Sequence, residues 1–229
     1  MTYATESSHL IVSNVSMQSG GRGIRIEKYA PPQTAKQSPI LVLHGAGGTL
    51  FDGPEMRRVA RQLAESGHTV YFLHYFNRTG TIFGLDAGMQ KNFEAWLETV
   101  RESIKFVRQD NGKGASVGIF GYSLGGFLAL AAASDNPDVG AVVEHAGGIW
   151  NGKTERIKHM PAVLIVHGEE DRRVPFQKYA RPLVAVLQQR GTILKTRFFP
   201  GEGHVFSAKA LSEVRAVAGE FFREHLAKK

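Results

Sequence analysis

The hydrophobic pattern begins as alternation. His9 to Val15 alternates loosely. Gly23 to Ala30, "GIRIEKYA", sets Ile24, Ile26 and Lys28 on one face and Arg25, Glu27 and Tyr29 on the other, the period of a half-buried strand. A polar, proline-rich turn follows in "APPQTAKQSP". From Ile40 the pattern changes, because "ILVLHG" runs apolar without a break up to His44, as in a strand covered on both faces. In "GPEMRRVARQLAESG" the apolar positions return at helical spacing, with Met56, Val59, Ala60 and Leu63 on one face. Pro54 suits the first turn of that helix and Gly67 its end. The exchange of short apolar strands for amphipathic helices then repeats. "TVYFLHYF", "SVGIF", "AVVEHA", "AVLIVHG" and "ILKTRFF" read as strands. Helices are predicted over Met89 to Gln109, from Leu124, over Phe176 to Gln189 and over Ala208 to Leu226. Met89, Phe93, Trp96, Leu97, Val100, Ile104 and Val107 form the stripe of the longest helix, and Glu98/Arg101 and Glu102/Lys105 are spaced to pair on its wet side.

This order predicts an α/β fold: a mostly parallel sheet of about eight strands with helices on both faces, right-handed crossovers, and an antiparallel hairpin at its start. No repeat, low-complexity tract or linker interrupts residues 1–229, so one domain is expected, without an insertion long enough for a large lid. Sites in such sheets form at the carboxyl ends of the strands, where candidate chemistry is sought.

Composition narrows the classes. With 42% hydrophobic and 21% charged residues, the 229-residue chain suits a soluble globular protein. It has no cysteine, which removes disulfides, thiolate metal sites and cysteine nucleophiles together. The net charge of +7 comes from scattered basic residues, with Arg57-Arg58, Arg172-Arg173 and the terminal lysine pair far apart, unlike the clustered basic face of a nucleic-acid binder. The N-terminus lacks a basic start followed by an apolar core, and no apolar run approaches the roughly 20 residues of a membrane span. A cytoplasmic protein with neither nucleic-acid nor membrane partner is expected, and the oligomeric state is left open. No histidine pair has the spacing of a zinc helix and no carboxylates cluster, so neither metal nor cofactor is expected. "GAGGTLFDG" lacks the Lys-Ser/Thr of a P-loop and fails the dinucleotide pattern at its last glycine.

Four strand ends carry matching parts. Gly121-Tyr122-Ser123-Leu124-Gly125 fits G-x-S-x-G, a sharp turn from strand to helix that leaves a serine exposed above a helix amino end. A serine hydroxyl needs a base, and "PGEGHVFS" offers His204 after the last strand. That base needs an acid, and "HGEEDRRVP" offers Asp171, a residue equally suited to capping a turn. Glu169, Glu170 and Glu144 are rival acids. The order Ser, Asp, His is that of α/β-hydrolases. For an oxyanion, the backbone N–H of Leu124 is one expected donor, and "HGAGG" supplies the other from Ala46 or Gly47, Ala46 first. His44 and His167 are expected to brace strand-end turns. Phe83, Ile149, Trp150 and Phe206 are candidate pocket walls, and the loop over residues 77–88 is a candidate cover.

"HGAGG", "GYSLGG", "HGEEDRRVP" and "GEGHVF", in this order over residues 20–229, resemble the dienelactone hydrolase family of α/β-hydrolases. The resemblance implies a hydrolase of small to medium carboxylic esters or lactones that works without a cofactor through Ser123, Asp171 and His204. The members that name the family use a cysteine where this chain has Ser123, which points toward serine esterase relatives. A peptidase, thioesterase or acyltransferase would use the same triad, and a ligand-binding protein could retain the same scaffold.

Overall fold

Two nine-residue strands, β1 (Ile11–Ser19) and β2 (Arg22–Ala30), open the fold as an antiparallel hairpin turning at Gly20-Gly21. This computed structural model describes residues 10–32, 37–112 and 114–226; His9 and residues 33–36 of the predicted turn lie outside them. The other strands are β3 (Ile40–Leu43), β4 (Val70–Leu73), β5 (Val117–Tyr122), β6 (Val139–His145), β7 (Ala162–Gly168) and β8 (Leu194–Phe199). They form one eight-stranded sheet in the order β1-β2-β4-β3-β5-β6-β7-β8, parallel from β4 onward. The chain lays β4 on one side of β3 and β5 on the other, so the strand order reverses between β3 and β5, where ligands collect in sheets of this kind.

The helices are α1 (Gly48–Phe51), α2 (Gly53–Glu65), α3 (Asp86–Asp110), α4 (Leu124–Ala133), α5 (Ala180–Gln189) and α6 (Ala208–His225). The predicted stripes of α2 and α3 are buried at every position named above. α3, α4 and α5 share one core layer and α2 and α6 share the other, so both faces of the sheet are covered. This explains the unbroken apolar runs of β3, β4 and β7. Among the described residues no helix is long and apolar enough to cross a membrane.

Local departures have physical causes. Glu27 does not face water as the alternation of β2 predicts. It is buried, and Arg57 grips its carboxylate at 2.8 and 2.9 Å while His74 Nε2 lies 2.9 Å away. Although burial raises the pKa of Glu27, these partners and Tyr29 outweigh it and hold the carboxyl well below its usual range. Glu98 pairs with Arg78 at 3.0 Å rather than with Arg101, whose guanidinium reaches the Ala131 carbonyl. β4 ends at Leu73, short of the predicted strand, because Tyr75 and Phe76 fold under α3 in a 3-10 turn. Regular helix after β7 begins at Ala180 rather than Phe176, the intervening residues forming turns.

Trp96 fixes the segment after β4. It is fully buried against Tyr75 and Phe76, with ring centroids 5.8 and 4.5 Å away, and its indole N–H donates to Thr79 Oγ1 at 2.9 Å. Replacing Trp96 with alanine is expected to cost about 3–5 kcal/mol in urea unfolding. A loss below about 1 kcal/mol, the ordinary scale of point changes, would show that the segment is held by other contacts.

Candidate active site

The site is built on a turn with almost no slack. β5 ends at Tyr122 and α4 starts at Leu124, so Ser123 alone reverses the chain, with its backbone at φ 53°, ψ −118°. A non-glycine residue holds this conformation only when its surroundings fix it. The Ser123 N–H donates to the His145 carbonyl at 2.7 Å, and the N–H groups of Gly126 and Phe127 bond the Ser123 carbonyl at 2.8 and 3.2 Å. α4 also lies unusually close to β3. A Cβ on Gly125 would sit 2.6 Å from the carbonyl oxygens of both Leu43 and His44, and one on Gly121 would meet the Gly125 carbonyl. The two motif glycines therefore act as a close-approach pair.

From this turn a hydrogen-bond chain runs across the strand ends. Ser123 Oγ lies 3.0 Å from His204 Nε2, and His204 Nδ1 lies 2.7 Å from Asp171 Oδ2. Asp171 Oδ1 accepts the N–H groups of Arg173 and Val174, each at 2.8 Å, so the same carboxylate caps its own turn and faces the histidine. Burial raises the Asp171 pKa, but His167, His204 and the Val174 N–H together hold it well below the usual carboxylate range. Of the rival acids, Glu169 and Glu170 are exposed, while Glu144 is buried on β6 and accepts the Gly147 N–H. Burial pushes the Glu144 carboxyl up to about 7.

Four further residues support this arrangement, and of these Asp52 lies outside "HGAGG", "GYSLGG" and "HGEEDRRVP". Asp52 turns its carboxylate against the "HGAGG" loop so closely that a Cβ on Gly45 or Gly47 would sit 2.8 or 2.6 Å from its oxygens. Its position before Gly53-Pro54 signals a helix cap, yet its side chain makes no cap bond. The Gly48 N–H bonds the Gly45 carbonyl at 3.1 Å. His167 Nε2 is 2.8 Å from the Val174 carbonyl and 3.4 Å from Asp171 Oδ2, bracing the acid turn from behind. Tyr122 donates its hydroxyl to the His204 carbonyl at 3.1 Å and so holds the base loop. His44 bonds the Gly45 carbonyl at 2.8 Å and stacks on Tyr75, and burial holds its pKa at about 3.

A cleft of about 240 Å³ opens at Ser123, lined in part by Ala46, Leu124, Met89, Phe127, Trp150 and Tyr179. Of the predicted pocket walls, Trp150 lines it, stacked on Phe93 at 4.3 Å. Ile149 sits behind Trp150 in a smaller cavity. Phe206 is buried against His145 and Phe199, away from the residues that line the cleft, and Phe83 is half exposed outside it. Those three expectations are corrected, because packing rather than sequence position decides which face of a loop meets the cleft. Among the described residues no group of three or more His, Asp or Glu side chains is placed to hold a metal ion.

The family model of the dienelactone hydrolases matches residues 27–224. The chain belongs to the dienelactone hydrolase family. As a member of this hydrolase family it shares its fold with solved structures at low identity. One is a dienelactone hydrolase from Anabaena variabilis (21% identity, TM-score 0.74, 95% of this chain and 99% of that one covered). Another is a dienelactone hydrolase-like promiscuous phosphotriesterase from metagenomic libraries (16%, TM-score 0.80, 94% and 98%). A third is a cold-adapted esterase from an Arctic intertidal metagenomic library (16%, TM-score 0.71, 97% and 96%). At these identities the likeness concerns fold alone. No curated protein matches the sequence.

Since Asp171 is ionised more readily in this hydrolase fold than in the unfolded chain, its charge stabilises the folded state. That contribution is complete above the unfolded carboxylate value of about 4 and is lost as pH falls toward the lower folded value. Urea unfolding of the wild type and of Asp171→Asn should differ most near neutral pH, with the gap narrowing below about pH 4. A gap independent of pH would contradict this electrostatic account.

Proposed function

We propose that this family member is a serine hydrolase that cleaves carboxylic esters or lactones of small to medium size through an acyl-enzyme. The observation that carries the reading is the unbroken chain from Ser123 Oγ through the His204 ring to Asp171, at 3.0 and 2.7 Å. His204 Nε2 takes the serine proton as Oγ attacks the carbonyl carbon. Asp171, held ionised, fixes the Nδ1–H tautomer and stabilises the imidazolium that forms. The developing oxyanion is held by the Leu124 N–H at the start of α4 and by an N–H of the "HGAGG" turn, that of Ala46 or Gly47; Ala46 lines the cleft beside Ser123. His204 then gives its proton to the leaving alcohol oxygen. A water, deprotonated by the same ring, cleaves the acyl-serine and releases the acid. No cofactor enters the cycle.

Tyr122 and His167 act through their neighbours, holding the base loop and the acid turn in place. The reading predicts that Ser123→Ala lowers p-nitrophenyl butyrate turnover by about 1,000-fold or more with the circular dichroism spectrum unchanged. Asp171→Asn should lose about 10,000-fold in kcat, because the histidine is left in the wrong tautomer. Wild-type rates in either variant would remove the residue from this role.

A further inference from the structure

Five large apolar side chains stand exposed beside the cleft. Leu50 and Phe51 on α1 are 62% and 68% exposed, and Ile82, Phe83 and Leu85 in the following loop are 66%, 52% and 68% exposed. The two segments are joined to each other and to the cleft wall. The Gly84 N–H donates to the Ala46 carbonyl at 2.6 Å, the Ile82 carbonyl lies against Gly48, and Gly84 packs on Met89 and the Ala46 side chain. Ala46 and Met89 are themselves cleft residues, so the exposed apolar surface begins where the lining ends. At the cleft rim, Asp86 and Arg173 pair at 2.5 Å and neutralise each other. The other exposed large apolar side chains among the described residues lie elsewhere: Ile11 and Val12 on edge strand β1, Ile193 before edge strand β8, and Val205 beside His204.

A surface of this kind on a folded chain marks something it covers. The size of the cleft indicates what. At about 240 Å³ it is smaller than the roughly 300–1,000 Å³ of pockets that enclose a whole ligand of moderate size. An ester chain of more than a few carbons must leave the cleft, and at the Ala46–Met89 edge it meets apolar side chains rather than water. We propose that Leu50, Phe51, Ile82, Phe83 and Leu85 form a platform for the apolar chain of the substrate, so that the preferred substrates are medium-chain esters. This rests on the serine-hydrolase reading of Ser123.

The test compares p-nitrophenyl esters from butyrate to decanoate, kept below their aggregation concentrations. In the wild type, kcat/KM should rise about twofold per added methylene, half of what full burial gives. A combined Leu50→Ser, Phe51→Ser, Ile82→Ser, Leu85→Ser variant should cut the decanoate-to-butyrate ratio of kcat/KM about tenfold or more. An unchanged ratio, or an equal loss at every chain length, would overturn the platform. So would light scattering that shows a wild-type dimer and a monomeric variant, since the patch would then belong to a second copy of the chain. A binding measurement separates this idea from the catalytic reading. In the Ser123→Ala background, intrinsic tryptophan fluorescence, with Trp150 in the cleft and Trp96 in the core as its sources, titrated with ethyl decanoate should give a dissociation constant about tenfold weaker in the platform variant. If butyrate is not hydrolysed yet this difference holds, the nucleophile assignment falls and the platform stands. If the difference is absent, the platform falls whatever the turnover.

Discussion

The single-residue reversal at Ser123 sets the terms for everything around it. A strand buried on both faces must become a helix within one residue at φ 53°, a conformation that costs on the order of 1–3 kcal/mol away from glycine. The cost is met by contacts that are also the site's framework. Gly121 and Gly125 bring α4 against the ends of β3 and β5, which lowers the helix amino end beneath the serine and places the "HGAGG" loop beside it. The His145 carbonyl, paired in register with Tyr122 across β6, accepts the Ser123 N–H. Parallel register then brings the ends of β7 and β8 alongside, Gly168 opposite Phe199, so that the acid turn and the base loop meet over the elbow.

Charge near this turn is handled by three acids in three environments. Asp171 has enough donors to remain ionised despite burial. Asp52 lies against the "HGAGG" loop with one oxygen unpartnered, and burial raises its pKa. Glu144 has one backbone donor and a free second oxygen, and its carboxyl is pushed up to about 7. Only the first faces His204. The difference between an acid that faces His204 and a buried neighbour therefore lies in donor count and direction, not in sequence distance from His204.

Much of this was legible in the sequence. The stripes of α2 and α3 follow from local spacing, and the hydrogen-bond chain of Ser123, His204 and Asp171 joins residues that G-x-S-x-G and two later strand ends had singled out. Three things were not legible. The burial of Glu27 depends on Arg57 and His74, which arrive from other elements. The inward turn of Asp52 imitates an ordinary helix cap in the sequence. The placement of Phe83 outside the cleft and Phe206 against His145 and Phe199 depends on which side of a loop faces the sheet, and hydrophobicity does not encode that. Pocket shape is a tertiary property, whereas elements and strand-end chemistry are local ones.

The central claim is that the geometry of the elbow makes Ser123 a nucleophile activated by His204. Its most direct measurement is intact-protein and peptide mass spectrometry after exposure to a fluorophosphonate. The account predicts a single adduct on the peptide carrying Ser123, formed rapidly in the wild type and at a rate reduced by at least about 100-fold in His204→Ala. An adduct elsewhere, no adduct, or an equal labelling rate without His204 would contradict it.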